Sequence, residues 1–193
     1  MRTSRALWMW VRGRKSIPGG DVDVFTAERG TLAVPVAFAI ATGIETVVLH
    51  LVVPWLWLQI VLAVGSVWSL LTLFGFLAVH RTHPHYTAGR RLVLRHFGSV
   101  VASIDLDDIE SSSCSSRFTE TAPTVVDRRL FLPNSDGTTV DVVLKTPVPV
   151  RLPALLPSRR KAVSVTGVSV FVDDPVRLVG RLRGAGEASA VAR

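Results

Sequence analysis

Cysteine, charge and catalytic motifs are all scarce in this chain. Its single cysteine, Cys114, excludes an intrachain disulfide and a cysteine-based metal cage. Only 19% of the 193 residues are charged while 48% are hydrophobic, whereas an average soluble domain carries about 25% charge. This length suits one ordinary domain, or one small domain with a membrane segment, and excludes a large multidomain enzyme. We therefore expect part of the chain to face something other than water.

Signatures of catalysis and of metal binding are missing as well. The sequence has no P-loop, no nucleotide-binding glycine motif, no His-Glu-x-x-His helix and no nucleophile-elbow serine. Three histidines, His80, His83 and His85, have no carboxylate beside them and are interpreted as solvated residues next to a membrane. Four acidic residues lack the glycine and the spacing of a calcium loop: Asp105, Asp107, Asp108 and Glu110. We predict a protein that is not an enzyme and has no metal or cofactor.

Residues 31–79 contain one charged residue, Glu45. A transmembrane helix needs about 20 apolar residues, so this segment is long enough for two helices and too long for one. Pro54 lacks a backbone donor and biases the preceding residue away from helical conformation, so it marks the turn. The sequence predicts helices over 31–53 and 55–79 within a transmembrane hairpin at 31–80.

Basic residues flank this hairpin on one side only. Six lysines and arginines precede the first helix and four follow the second within residues 81–95, while the turn has none. The positive-inside rule places both termini in the cytoplasm and the protein in the cytoplasmic membrane. A cleaved signal peptide has an apolar region of about 7–15 residues, which is shorter than this one. Residues 1–30 are expected to form a basic arm, either at the membrane surface or disordered, with 17–30 as a loop.

Glu45 and His50 are the candidate polar residues inside the membrane. A charge at mid-helix costs about 2.5–3.5 kcal/mol, which the surrounding apolar residues offset, so the first helix can insert. One hypothesis is a proton or ligand site that Glu45 forms with its polar neighbours: His50, Thr42, Thr46, Ser66 and Ser69. The alternative is that Glu45 is protonated, hydrogen-bonds to a small polar neighbour and holds together the hairpin or an oligomer.

After residue 83 the sequence favours short strands. Segments 92–95, 102–106 and 140–144 have strand character, and the last follows a turn at Asn134–Gly137. Between 163 and 172 the apolar residues change from odd to even positions at Gly167, which predicts a bulge or a tight turn there.

A helix is predicted after the strands. Asp173 or Asp174 is its expected N-cap, Pro175 its first residue and Gly184 its end. Residues 184–193 are then expected to be a disordered tail.

Three segments of the chain resemble one protein family. They are Leu92-x-Leu-Arg-x-Phe-Gly98, Ile104-x-Leu-x-x-Ile109 and Asp173-Asp-Pro-Val-Arg-Leu-Val179. Placed after two membrane spans, they are similar to the bacterial pleckstrin-homology-like (PH-like) domains of small actinobacterial membrane proteins. The resemblance implies a seven-stranded bent antiparallel sheet with a C-terminal helix over 84–183, and no shared catalytic residues. The serine-rich stretch 111–116 departs from a well-formed strand.

Attraction to an anionic lipid surface is the simplest explanation for the net charge of +7. The candidate residues are Arg90, Arg91, Arg159, Arg160 and Lys161. Each contributes about 1 kcal/mol near such a surface, so residues 84–183 are expected to bind it weakly and without selectivity. No aromatic platform for nucleic acid accompanies the charge, so no nucleic-acid partner is predicted.

These features predict a fold of two transmembrane helices followed by a β-rich domain. The predicted function is a membrane-anchored binding or scaffold module at the inner face of the cytoplasmic membrane. Its partners would be the lipid bilayer and an unidentified membrane or cytoplasmic protein, with a homo-oligomer left open. The alternative is an accessory subunit of a larger membrane complex, with Glu45 as an intramembrane contact.

Overall fold

A computed structural model describes residues 8–13, 22–152 and 162–191. The helices are α1 (Ala33–Val52), α2 (Leu56–Thr82) and α3 (Pro175–Val191). The strands are β1 (Val22–Phe25), β2 (His85–Ala88), β3 (Arg91–His96), β4 (Ser99–Asp105), β5 (Ile109–Arg117), β6 (Thr124–Val126), β7 (Arg129–Leu132), β8 (Thr138–Arg151) and β9 (Ala162–Val170). A short 3-10 turn, Leu106–Asp108, joins β4 to β5.

The two long apolar helices are present, with the turn where Pro54 predicts it. Val53 leaves the helical region, with φ −85° and ψ 116°, and α2 begins two residues after the proline. Helix α2 continues three residues past the predicted end at 79, because the next proline, Pro84, rather than the end of the apolar run, terminates it. With 20 and 27 residues, α1 and α2 are long and apolar enough to cross a membrane.

The described strands form two sheets. One has the order β1-β2-β3-β4 and the other the order β5-β8-β9-β7-β6; only β7 and β9 pair in parallel. The seven-stranded sheet implied by the family resemblance is thus replaced by sheets of four and five strands. Their apolar faces share one core, which α3 closes with Leu178 and Leu182.

Residues 17–30 are only partly a loop, because Val22–Phe25 forms β1. This strand pairs antiparallel with β2, so that Phe25 lies opposite His85. Four residues are too few to show strand alternation in the sequence, and the glycines nearby indicate a turn. The strand forms because β2, on the other side of the helix pair, provides its hydrogen-bonding partners.

The serine-rich stretch 111–116, whose sequence departs from a well-formed strand, nevertheless lies within β5. This strand is at the edge of its sheet and pairs with the apolar strand β8. Most of its side chains are exposed while Ser112 is buried. Polar residues suit the exposed face of an edge strand, so the segment needs no apolar alternation of its own.

The irregularity expected at Gly167 occurs at that level of the sheet, but in the neighbouring strand. Val143 of β8 pairs with Gly167 of β9, and the next pair is Val148 with Val165. Strand β9 covers this interval in two residues, whereas β8 uses five. Strand β9 is continuous through Gly167. The inserted residues of β8, including Pro147, change which face of the sheet is buried.

Helix α3 begins as predicted and extends further. The backbone N–H of Arg177 donates to the Asp174 carboxylate at 3.0 Å, which identifies Asp174 as the N-cap. The helix passes Gly184 and ends at Val191, so the tail predicted for 184–193 is wrong over its described part. Residues 192–193 lie outside the described ranges.

Candidate functional site

Both long helices leave the β-rich region from adjacent strands. Strand β1 leads into α1 through residues 26–32, and α2 leads into β2 through residues 83–84. Because β1 and β2 pair with each other, the two helix ends lie side by side. This junction is where the apolar and polar parts of the chain meet.

Asp173 fixes the segment that connects β1 to α1. Its carboxylate accepts hydrogen bonds from the backbone N–H groups of Glu28 at 2.8 Å and Arg29 at 2.9 Å, and its own N–H donates to the Thr26 carbonyl at 2.8 Å. Burial acts to raise the pKa of Asp173, but these backbone hydrogen bonds outweigh it and the pKa lies below its usual value. The connection is therefore ordered by a residue about 145 positions away.

Strand β1 is tied to α3 as well. Asp23 forms ion pairs with Arg177, at 3.3 Å, and with Arg181, at 2.8 Å. The guanidinium of Arg177 also lies 5.7 Å from the centre of the Phe25 ring. The segment that enters the helix pair is thus held by β2 on one side and by α3 on the other.

A small cleft, which we name the junction cleft, opens beside the end of α2. It is lined by Ala27, Glu28, Arg81, His83, Pro84, His85, Arg95 and Phe97. The Arg81 side chain is 18% exposed, with Nη2 3.7 Å from a carboxylate oxygen of Glu28. Its Nε is buried and donates to no acceptor among the described residues. Arg95 places its guanidinium 4.7 Å from the centre of the Tyr86 ring.

The β3–β4 turn packs onto the end of α2 next to this cleft. Phe97 and Gly98 both have positive φ, 46° and 73°, as a tight two-residue hairpin requires. A Cβ atom at Gly98 would lie 3.5 Å from atoms of Val79 and His83, which is ordinary contact distance. The turn therefore holds the Phe97 ring at the helix end, where the ring remains 49% exposed.

Phe97 also borders a second, apolar cavity, which we name the helix groove. This cavity of about 310 Å³ lies between the ends of α1 and α2. Its lining residues are Gly30, Thr31, Val34, Pro35, Leu73, Phe76, Leu77, Phe97, Asn134 and Ser135. A further cavity of about 530 Å³ shares Val34, Leu73 and Phe76 with it and extends along the helices to Gly65. Phe97 thus separates a basic cleft from a long apolar groove.

The structure does not bring Glu45 together with its expected partners. Glu45 is exposed on α1 and makes no hydrogen bond or ion pair with any residue that the structure describes. Thr46, His50 and Ser66 do line one cavity between the helices, of about 30 Å³, without Glu45. The predicted hydrogen bond from Glu45 to a neighbour within the hairpin is therefore not found among the described residues, and a contact with an oligomer or another chain stays a prediction.

Gln59 has a role that the sequence analysis missed. Its side-chain amide donates to the carbonyls of His50 at 3.0 Å and Val53 at 2.7 Å. The last carbonyls of a helix have no partner in the helix itself, so Gln59 of α2 caps the end of α1. The only sequence signal is a lone amide one turn after Pro54.

Two of the five expected lipid-contacting residues are described, and both lie away from the junction. Arg90 and Arg91 are at the β2–β3 turn, the end of β2 opposite α2, and Arg90 pairs with Asp107. Four residues of strand put this turn about 10 Å or more from the helix end. Arg159, Arg160 and Lys161 lie outside the described residues.

Two of the arginines that flank the second helix, Arg81 and Arg95, lie near the helix end, but the sequence does not indicate that they share a cleft. Arg81 sits in the last turn of α2 and Arg95 in β3, 14 positions apart, and nothing in their spacing indicates a shared cleft. His83 and His85, interpreted as solvated, line the same cleft, and His85 is buried. Nδ1 of His85 accepts the backbone N–H of Arg95 at 3.1 Å.

A second charged cluster lies inside the five-stranded sheet. Asp141 of β8 pairs with Arg117 at 2.7 Å, accepts a hydrogen bond from Ser169 at 2.5 Å and lies 3.6 Å from Arg129. Burial acts to raise the pKa of Asp141, but the hydrogen bond from Arg117 and the other partners lower it overall. The same contact raises the pKa of Arg117. Each of these charged side chains has a partner within the cluster, which is consistent with a structural role.

Part of the N-terminal arm is described and contacts α2. Trp10 stacks on Phe74 with ring centres 6.4 Å apart and packs against Ala78 and Val79. Arg12 lies 3.9 Å from the centre of the Trp8 ring. Trp10 therefore covers part of the last turns of α2.

Comparison of the chain with protein-family models, with curated proteins and with solved structures finds no match. Within the described residues, no group of three His, Cys, Asp or Glu side chains is arranged to hold a metal ion. The junction cleft with its adjoining helix groove is therefore the candidate site on geometric grounds alone.

Proposed function

We propose that this chain is a non-enzymatic membrane-anchored binding or scaffold module. In this proposal α1 and α2 cross the cytoplasmic membrane as a hairpin, both termini are cytoplasmic, and the β-rich region lies at the inner face. The β-rich region is further proposed to be PH-like. The burial of Leu92, Leu94 and Ile104 in its core supports this, as does the C-terminal helix that closes that core.

The surface of the helices supports membrane insertion. Only 11% of the most apolar 18-residue window of each helix is buried in the chain. Large side chains such as Ile44, Leu56 and Trp68 are more than half exposed. A core helix of a soluble protein would bury such residues, whereas a lipid-facing helix exposes them.

The pairing of β1 with β2 is the observation that carries the proposal. It puts the start of α1 and the end of α2 on the same side, as a membrane hairpin requires, and the described arginines Arg29 and Arg81 flank the helices there. It also makes both connections short and ordered. The β-rich region would therefore be held in one orientation relative to the bilayer rather than on a flexible tether.

A partner protein has sheet edges available to it. In the described residues, β5 and β6 are the end strands of the five-stranded sheet. Helix α3 covers part of β5, where Arg183 donates to the Ser112 carbonyl at 3.1 Å. An extended peptide that adds to β6 or to the rest of β5 is the physical route to binding that we favour.

Extraction of membranes tests the anchoring role. The full chain should resist alkaline carbonate and be released by detergent. In the matched control a short Gly-Ser linker replaces residues 31–80, so that residues 26–30, the linker and residues 81–84 form one loop between β1 and β2. Because those strands are antiparallel neighbours, the control should fold and be soluble. Release of the full chain by carbonate would contradict the proposal.

An accessory subunit of a larger membrane complex is the second candidate function. It is favoured by the exposed Glu45 on α1, because an unpaired carboxyl facing lipid is costly and a polar group on another chain would relieve that cost. Purification in mild detergent followed by identification of bound proteins tests it. Loss of a stoichiometric partner on Glu45→Gln, but not on Val47→Ala on the same helix, would support this function.

A further inference from the structure

We infer that the β-rich region contacts the inner leaflet of the bilayer through Phe97 and Phe118, whose rings enter the head-group layer. The partner is the lipid surface itself, and the contact is apolar rather than electrostatic. This inference rests on the proposed membrane anchoring and adds to it the surface of the β-rich region that faces the bilayer.

The phenylalanines of the β-rich region divide between its core and one of its ends. Three of the five are at most 9% exposed: Phe25, Phe131 and Phe171. The other two differ sharply, since Phe118 is 74% exposed and Phe97 is 49% exposed. Large aromatic rings contribute most to stability when they are removed from water. Two exposed rings at the same end therefore indicate a surface that an apolar partner covers.

Phe118 lies close to the start of α1. It is the first residue after β5, and the turn Asn134–Gly137 lies between it and the segment that leads into the helix. A Cβ atom at Gly137 would lie 3.1 Å from the Phe118 ring, and a Cβ atom at Gly30 would lie 3.0 Å from Oγ of Ser135. A single turn of the chain therefore separates Phe118 from the residues just before α1.

Phe97 has the equivalent position at the end of α2. It belongs to the β3–β4 turn, whose Gly98 lies against Val79 of α2. Its ring lines the helix groove together with Ser135 of the turn that contacts Phe118. The two exposed rings are thus placed at the two helix ends that meet the β-rich region.

The length of α1 indicates the depth of this end in the membrane. Its 20 residues span about 30 Å, which equals the thickness of the hydrocarbon core. Ala33, the first residue of α1, then lies at the boundary of that core, and Gly30 lies in the head-group layer, which is about 5–7 Å thick. Phe118, one turn away from Gly30, reaches the same layer. Aromatic side chains are enriched at this level of membrane proteins.

The opposite end of the β-rich region is polar in its described turns. Gly89 and Arg90 connect β2 to β3, and Asp127 and Arg128 connect β6 to β7. Such residues suit contact with water. The end with the two phenylalanines is therefore the one that faces lipid, and its contact needs no anionic head group.

Spin labels on the full chain in nanodiscs of dioleoyl phosphatidylcholine test the inference. The reporter is Thr119→Cys in a Cys114→Ser background, which leaves Phe118 intact. The matched control is Val163→Cys in the same background, at an exposed position near the start of β9. Electron paramagnetic resonance measures collisions of each label with oxygen, which concentrates in lipid, and with a water-soluble nickel chelate. The ratio of oxygen to nickel collisions should be about threefold or more higher at residue 119 than at residue 163.

Replacement of the two rings should expose the reporter. With Phe97→Ser and Phe118→Ser, nickel collisions at residue 119 should rise about twofold or more, because the apolar contact is lost. Phe97→Leu with Phe118→Leu keeps apolar side chains and should retain the original value, which separates loss of the contact from misfolding. Val126→Ser with Val163→Ser removes two exposed apolar side chains elsewhere and should change nothing.

Three results would overturn the inference: equal nickel collisions at residues 119 and 163, unchanged collisions in the serine pair, or protection of residue 119 only after phosphatidylglycerol is added. The last result would make the contact electrostatic. A label at Trp68→Cys on α2 separates this failure from that of the proposed function. Lipid around residue 68 with water around residue 119 contradicts only the contact surface, whereas water around both residues contradicts the membrane anchoring.

Discussion

At the scale of single residues, long-range contacts decide the roles that the sequence leaves open. Asp174 could be predicted as an N-cap because its partner, the Arg177 N–H, is three residues away. Its neighbour Asp173 instead binds the backbone at 28–29, and Asp141 of β8 binds Arg117 of β5. The sequence shows a carboxylate in each case, but its partner is known only once the strands are placed.

Asp141→Asn should destabilise the β-rich region. The Asp141 side chain is 9% exposed and the Arg117 side chain 45%, so the pair is partly screened and we expect a loss of about 2 kcal/mol in the free energy of unfolding. Denaturant unfolding in detergent provides the measurement. Asp127→Asn at an exposed turn is the control and should change it little; equal effects would contradict the structural role of Asp141.

Acid should destabilise the wild-type chain more steeply than this variant. The folded pKa of Asp141 lies below its unfolded value of about 3.9, so the unfolded chain takes up the proton first as the pH falls. Ionised Asp141 therefore stabilises the fold fully above about pH 4. This contribution is lost as the pH falls further, through the pKa that Asp141 has in the folded chain. Unfolding followed from pH 7 to pH 3 should give a shallower profile for Asp141→Asn, and parallel profiles would exclude this linkage.

Glu45→Gln should leave insertion and expression unchanged. Glu45 lies on the outer surface of α1 and has no partner among the described residues, so the neutral amide removes no contact within the chain. It also lacks the cost of a charge in the bilayer. Carbonate-resistant protein should equal that of the wild type. A cellular defect at normal protein level and oligomeric state would instead mean that ionisation of Glu45 matters.

At the scale of elements, predictability follows the range of the interactions that form each element. Helices α1 and α2 could be predicted within three residues because their apolar composition and the flanking prolines act locally. Strand β1 is invisible in the sequence because only its pairing with β2, about 60 residues later, makes it a strand. The apolar residues of β9 change from odd to even positions at Gly167, which in the sequence predicts a bulge in β9 itself. The extra residues are in β8, the strand that pairs with it.

Gly137→Ala should disrupt the turn between β7 and β8. Gly137 has a φ of +81°, and an added Cβ would lie only 2.1 Å from the Arg117 carbonyl oxygen. We expect more than about 2 kcal/mol of destabilisation, measured by unfolding. Gly89→Ala is the matched control, because its φ is also positive, +56°, but the space around it is open; its cost should be about 1 kcal/mol. Equal costs would contradict the close approach at Gly137.

Gln59→Leu should loosen the turn between the long helices. The two carbonyls of α1 lose their donor, and a side-chain hydrogen bond within a membrane contributes about 0.6 kcal/mol on average. We expect a loss of about 1 kcal/mol in unfolding in mixed micelles. The control Thr72→Val removes a hydroxyl that bonds only within its own helix, and a larger effect there would contradict the capping role of Gln59.

At the scale of the whole molecule, the account depends on the side of the membrane on which the β-rich region lies. The strand pair β1–β2 holds both helix ends together, and Arg177 and Arg181 of α3 form ion pairs with Asp23 of β1. The two helices and the strand-rich character of the remainder could be predicted from composition and periodicity. The junction cleft could not, because Glu28, Arg81 and Arg95 meet only through that strand pairing.

Labelling with a membrane-impermeant maleimide tests this central claim most directly. The only cysteine, Cys114, is exposed on β5, so the wild-type chain carries its own reporter for the β-rich region. In intact cells Cys114 should stay unlabelled and react only after permeabilisation. Trp57→Cys in a Cys114→Ser background should be labelled in intact cells, because residue 57 lies next to the turn between the helices. Labelling of Cys114 in intact cells with protection of residue 57 would contradict the account.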